Sequence, residues 1–296
     1  MKLSTLLELG RISNLPTVWS NVLCGAVLGQ GALAFAPLLV AAGGGSAFYV
    51  GGMLLNDAFD AEIDAVERPE RPIPSGRVSR REVLAYGFAL LGLGFLVLAA
   101  SARFGLSPAG SNLAGAALAT AICVVLYDVW HKRNPIAPVL MGLCRAGLYC
   151  IGALSVAPTL SEDVVVAAVA LAAYIVGLTH VARFETESAV GRTWPTLFVL
   201  APFAAAALRP VAWAPSFSTA LALALWLAAL VFVLWAVRLA LLGGRARIGR
   251  AVISLIAAIA LVDAMLMAAR GALLASALGI AAFGLTLALQ RKIRGT

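Results

Sequence analysis

The sequence predicts an all-α, polytopic membrane protein: one domain over residues 1–296, built as a bundle of nine to ten transmembrane helices. Two observations lead there. Of the 296 residues, 62% are hydrophobic and only 12% charged, whereas a soluble domain is about a quarter charged and about half apolar. That apolar excess is more than one core can hide, so the remainder must face lipid. The apolar residues also fall in runs of the length a bilayer asks for, about 20 residues rising about 1.5 Å each through about 30 Å of hydrocarbon. Continuous runs of that length span as helices, because lipid offers the backbone no hydrogen-bond partners.

In chain order the runs lie near 15–33, 36–56, 83–102, 111–130, 136–156, 163–183, 194–209, 217–241, 250–269 and 272–290. The first is read as a retained helix rather than a cleavable signal, since Arg11, Asn14 and Pro16 interrupt the stretch where an uncharged core is needed. The seventh is short and carries Pro195 and Pro202, and only Arg270 and Gly271 separate the last two. Cys24, Cys123, Cys144 and Cys150 sit inside the runs without metal-type spacing and read as small packing residues. The spacing Gly25-x-x-x-Gly29 reads as close helix packing.

Lys and Arg mark cytoplasmic loops. Arg68, Arg71, Arg77, Arg80 and Arg81 follow the second segment, Lys132 and Arg133 the fourth, Arg183 and Arg192 the sixth, and Arg245, Arg247 and Arg250 the eighth. The opposite connections offer Arg103, Arg209 and Arg270. A cytoplasmic N-terminus is expected, and the tail residues Arg291, Lys292 and Arg294 favour ten spans over nine. The expected setting is a bacterial inner membrane, with the lipid bilayer and small molecules as partners and no nucleic acid.

The run Asn56-Asp57-Ala58-Phe59-Asp60-Ala61-Glu62-Ile63-Asp64 stands where the second segment leaves the hydrocarbon. If the helix continues, Asn56, Asp60 and Asp64 stay within about 80° on one face. Carboxylates stacked in this way repel one another unless a cation sits among them. Mg²⁺ takes a few carboxylates and completes its shell with water and substrate phosphates, so the run reads as a Mg²⁺ site gripping a diphosphate. An acidic, solvated loop beside a basic one is the plainer alternative. Clusters of charge at a membrane helix are costly enough that they usually have a use. Arg145 falls in the middle third of the fifth segment, where a buried partner or an anionic ligand is expected.

The run Asn56-x-x-x-Asp60-x-x-x-Asp64, followed by Arg68-Pro69-Glu70-Arg71-Pro72-Ile73-Pro74-Ser75-Gly76, resembles the first aspartate-rich stretch of the UbiA superfamily of intramembrane prenyltransferases. The resemblance implies a central cavity open to the cytoplasmic side. It also implies transfer of a prenyl group from a prenyl diphosphate to a small, hydrophobic or aromatic acceptor, with Mg²⁺ as cofactor. By the same resemblance Asp60, Asp64 and Lys132 are candidate catalytic residues. Arg11, Asn14, Asn21, Asp57, Arg68, Tyr127, Arg145 and Arg183 are candidates for substrate binding, and Asn56, Asp60, Asp64 and Glu187 for the metal.

The family's second aspartate-rich motif is not matched: Thr179-His180-Val181-Ala182-Arg183-Phe184-Glu185-Thr186-Glu187-Ser188 contains no aspartate. Glu185 and Glu187, two residues apart, diverge on a helix. In this respect the chain is similar to the UbiA-like proteins of Ebo-type gene clusters, on Val66 to Gly76 and on Met141-Gly142-Leu143-Cys144-Arg145. The alternative expectation is therefore a UbiA-like protein that binds or exports a lipid-like or anionic metabolite without transferring it.

Overall fold

A computed structural model describes residues 2–30, 33–132, 134–184, 193–208 and 217–293, with the backbone only of Arg245. Arg133, Glu185, Glu187, Arg192, Arg209 and Arg294 lie outside these described residues. The elements run α1 (Leu3–Leu9), a 3-10 turn (Ile12–Asn14), α2 (Leu15–Leu28), α3 (Phe35–Phe59), α4 (Ala61–Glu67), α5 (Arg80–Arg103), α6 (Ser111–Trp130), α7 (Ala137–Val156) and α8 (Glu162–Arg183). A 3-10 segment (Trp194–Leu200), α9 (Ala201–Leu208), α10 (Phe217–Leu241), α11 (Arg245–Ala269) and α12 (Leu273–Gln290) complete the chain. Among the described residues there is no strand, and each of the ten apolar runs is helical.

Among the described residues eight helices are long and apolar enough to cross a bilayer: α3, α5, α6, α7, α8, α10, α11 and α12. The first and seventh runs are shorter units, Ile12–Leu28 and Trp194–Leu208. The first ends at Leu28 rather than at residue 33, because Gly29 caps it and Gln30 turns left-handed at φ 58°. The seventh winds as a 3-10 segment before α9, and Pro195 and Pro202 each stand at the second position of their segment, where a missing N–H costs no helical bond. Gly271, at φ +74°, makes the sharp connection between α11 and α12.

α11 is the central helix. About four-fifths of its apolar window is buried, 78% against 22% for α10 and for α12, which turn most of their surface outward. Large apolar side chains such as Phe35, Phe88, Leu96, Leu227 and Leu274 are exposed, as the lipid-facing side of a bundle requires.

The closest approach in the bundle is between α2 and α7. A Cβ on Gly25 would stand 2.1 Å from the Tyr149 carbonyl oxygen, and one on Gly152 would stand 2.0 Å from that of Val22. Backbone faces backbone on both sides, so no side-chain movement could make room. This contact sets the spacing of Asn21 on α2 against Arg145 and Tyr149 on α7.

Side-chain contacts define two ends. At one, Arg77 meets Glu8 at 2.7 Å, Lys132 meets Asp60 at 3.2 Å, and Gln290 donates to Asn14 at 2.8 Å. At the other, Arg270 pairs with Asp163, and Ser161 donates to the Leu28 carbonyl at 3.1 Å. Ser79 begins α5 as its N-cap, accepting the Glu82 N–H at 3.2 Å, and so fixes where the arginine-rich loop 68–79 rejoins the bundle.

Gly25→Ala and Gly152→Ala are each expected to destabilise the fold by about 1–3 kcal/mol through overpacking. Gly43→Ala, whose Cβ meets nothing within 4 Å, leaves it unchanged or slightly raises it. Thermal unfolding of the detergent-solubilised protein reads the difference.

Candidate functional site

The site forms where α3 leaves the bundle. The helix stops at Phe59 and α4 starts at Ala61, with Asp60 at the corner. The four-residue hydrogen-bond pattern nevertheless runs through: the Asp60 N–H donates to the Asn56 carbonyl and the Asp64 N–H to the Asp60 carbonyl, both at 2.9 Å. Asn56, Asp57, Asp60 and Asp64 are all buried, at 5–8% exposure. Carboxylates at such burial need partners.

The partners come from three places. Arg11, in a left-handed conformation at φ 43° between α1 and the 3-10 turn, reaches the Asp57 Oδ1 at 3.1 Å. Arg71, from the loop after α4, donates to the Asp64 Oδ2 at 2.7 Å and to the Asp57 Oδ1 at 3.3 Å, bridging the two. His131 Nε2 and Lys132 Nζ, just past α6, lie 3.1 and 3.2 Å from the Asp60 Oδ1. Burial pushes the Asp60 carboxyl up, but the hydrogen bonds and charges of His131 and Lys132 outweigh it and hold the carboxyl below its ordinary value. It stays ionised at neutral pH.

Asn56, Asp60 and Asp64 were expected to share one ligand point. All three are at the corner, but each faces a different partner: Asn56 donates to the Asp128 Oδ1 at 3.4 Å, Asp60 holds His131 and Lys132, and Asp64 holds Arg71. Glu187 lies outside the described residues. Among those residues no three His, Cys, Asp or Glu side chains stand close enough to share a metal ion. The donor chemistry still fits a hard cation. Asp57, Asp60 and Asp64 each commit one oxygen to basic side chains, and the other has no hydrogen-bond partner among the described residues. The Oδ2 of Asp128 is fully buried and orphaned. A divalent ion takes its ligands from one or two carboxylates, with water and phosphate for the rest.

Beside this corner opens a chamber of about 340 Å³. Arg11, Asn14, Tyr49, Arg68, Arg71, Tyr127, Asp128 and Arg145 line it, and apart from Thr120 and Thr179 the rest of the wall is apolar, with Phe48, Leu148, Ile175, Leu178, Val252 and Ile256. Tyr127 stacks on His131 with ring centroids 5.2 Å apart. Arg183 ends α8 one residue after Ala182, which lines the chamber.

Arg145 sits about 12 Å along α7 from that helix's start. Its Nη1 donates to the Thr17 Oγ1 at 3.1 Å and the Asn21 Oδ1 at 3.0 Å, and its guanidinium lies 5.4 Å from the Tyr49 ring centroid. Tyr49 in turn accepts from the Asn14 Nδ2 at 3.2 Å. Asn21, expected to line the cavity, is not in its wall. Its amide bridges Arg145 to Asp263 on α11, donating at 2.9 Å. Asp263 is fully buried and also accepts from Ser20 and Tyr149. Asp57 likewise is not in the wall and touches Arg11 and Arg71 instead.

Sequence reasoning assigned no site role to Arg71, His131, Asp128 or Tyr49. Arg71 and His131 were legible only as basic residues of the positive side. Asp128, beside Tyr127, carried a signal in being an acid at the end of a span. A larger cavity of about 700 Å³ lies between α8, α9, α10 and α11, lined by Leu171, Leu223 and Trp226 with Asp163 and Arg270 at its rim; it has no carboxylate cluster.

Comparison with known proteins agrees with this architecture. The model of the UbiA prenyltransferase family matches residues 15–249, and the chain belongs to that family. Digeranylgeranylglyceryl phosphate synthase of Ignicoccus hospitalis is 45% identical over 97 residues, 32% of this chain and 31% of that one. The matches span 27–56% of the first curated relatives' own length. A solved digeranylgeranylglyceryl phosphate synthase structure superposes with a TM-score of 0.64 at 21% identity, covering 92% of this chain and 98% of that one. A UbiA homolog from Archaeoglobus fulgidus, bound to GPP and Mg²⁺, superposes with a TM-score of 0.58 at 14% identity, covering 88% and 99%. At these identities the two superpositions establish the fold.

Removing one partner of a buried ion pair costs about 3–5 kcal/mol, because the other charge is left behind. Arg71→Ala is expected to lose stability on that order. Adding Asp64→Asn to the same chain recovers much of it, because Asp57 keeps Arg11 while Asp64 has Arg71 as its basic partner; thermal unfolding of the single and double variants reads both.

Proposed function

We propose that this protein is an intramembrane prenyltransferase that moves a prenyl group from a prenyl diphosphate to a small acceptor. One observation carries the reading: a buried carboxylate corner, ringed by arginines and a lysine, opens on a chamber whose other walls are apolar. That is the shape and polarity of a prenyl diphosphate. The diphosphate lies at the mouth against Arg11, Arg68, Arg71 and Lys132, and the prenyl chain lies along Phe48, Ile175 and Val252. The relative named digeranylgeranylglyceryl phosphate synthase and the homolog bound to GPP and Mg²⁺ support a prenyl diphosphate as the substrate class.

In the reaction the allylic C–O bond breaks and its electron pair leaves with the diphosphate. Arginine and lysine donors at the mouth neutralise the charge that develops on the leaving oxygens, in a site poor in water. Asn56 and Asp60 would hold Mg²⁺, which would supply Lewis-acid neutralisation of the same oxygens. The Tyr49 and Tyr127 rings face the chamber where positive charge develops on the prenyl carbon. The acceptor's nucleophilic atom then bonds to that carbon and loses its proton. Arg145 keeps Nε and Nη2 free of partners among the described residues, which suits an oxygen of the acceptor deep in the chamber.

The excess of basic residues at the Asp60 end, against Arg103 and Arg270 at the other, supports an orientation with this mouth and the N-terminus on the cytoplasmic side. A second reading, binding or export of a lipid-like or anionic metabolite, is favoured by one observation: Arg71 already neutralises Asp57 and Asp64 without a metal.

In liposomes, a transferase releases pyrophosphate from a prenyl diphosphate in the presence of an acceptor and Mg²⁺, and Asp60→Ala lowers the rate by about 10²-fold or more. Binding of the diphosphate with no pyrophosphate released from any acceptor offered supports the second reading instead.

A further inference from the structure

Among the described residues Asp57, Asp60 and Asp64 each touch a basic side chain, and Asp128 does not. It lies in the last turn of α6, 2% exposed, in the chamber wall. Its Oδ1 has one contact, the Asn56 amide at 3.4 Å, which is long for a hydrogen bond. Its Oδ2 has none. An acid so placed needs a proton or a cation, and three features of its surroundings favour the cation. The Asn56 Oδ1 and one oxygen of Asp60 have no partner among the described residues. α3 and α6, which carry these groups, pack directly on one another. The chamber gives the ion a route in and leaves room for water or phosphate to complete its shell.

We infer that Asp128 is a ligand of the divalent-cation site, supplying from α6 a carboxylate that faces Asn56 and Asp60. This rests on the prenyltransferase reading only in requiring a cation at this mouth. It names a donor from a second helix, α6, packed against the α3 corner. With Asp60 it makes two carboxylates and one amide oxygen. That set suits Mg²⁺, which rarely has an all-protein cage, and agrees with there being no cluster of three acids.

The test uses Mn²⁺ alone as the probe, titrated into the detergent-solubilised full-length protein and followed by the loss of the free-ion electron paramagnetic resonance signal. Asp128→Asn keeps the side chain's size and is expected to weaken Mn²⁺ binding tenfold or more. Without divalent ions its melting temperature should equal or exceed the parent's, since an unpaired buried acid has been removed; a merely structural Asp128 would give a lower one. A smaller loss of affinity overturns the inference. If Asp128→Asn does not fold, Asp128→Ser takes the same measurement with the same threshold. Asp60→Asn separates the two claims. Weakening by Asp60→Asn but not by Asp128→Asn overturns the inference alone, and a parent that binds no Mn²⁺ overturns the cation reading with it.

Discussion

Three carboxylates buried at one end of a membrane bundle, Asp57, Asp60 and Asp64, impose the constraint on which the site depends. Each isolated charge would cost several kcal/mol in such a place, so the fold has to bring opposite charge to it from elements distant in sequence. Arg11 arrives from before α2, Arg71 from the loop after α4, and His131 and Lys132 from the end of α6. The left-handed backbone at Arg11 and the Ser79 cap that ends the arginine-rich loop are local conformations that place these cations. The same cations then border the chamber, so the groups that keep the carboxylates folded are also those that can meet an anionic substrate.

Below the mouth a second polar layer holds Arg145. Its position depends on Asn21, and Asn21's on Asp263, which collects donors from α2 and α7 at the heart of α11. Because Gly25 and Gly152 let the α2 and α7 backbones touch, these side chains meet at hydrogen-bond distance without slack. A guanidinium so fixed loses little freedom when it binds a ligand.

The helices were readable because bilayer thickness fixes the length of an apolar run; the 3-10 winding of the seventh was not, since Pro195 and Pro202 marked it only as short and interrupted. The acidic run was readable because buried acids at a membrane exit are rare. Its geometry was only partly so. An i, i+4 spacing places three side chains on one face but does not say what faces them, and here Arg71, Asp128 and the His131–Lys132 pair divide them. Asn21 looked like a cavity residue because it is polar and deep; its hydrogen bonds to Arg145 and Asp263 take it out of the wall. Asp128 could not be told from a flanking residue, since what marks it is an oxygen left without a donor, which only packing reveals.

The central claim is that the carboxylate corner and the chamber beside it together hold a diphosphate and its apolar chain. A cryo-EM or crystal structure with a slowly reacting prenyl thiolodiphosphate and Mg²⁺ tests it directly. The account predicts density for the diphosphate between Arg11, Arg71 and Lys132, with the chain running past Phe48 towards Arg145. Density instead in the larger cavity bounded by Asp163 and Arg270, with the mouth ion pairs unchanged, would contradict it.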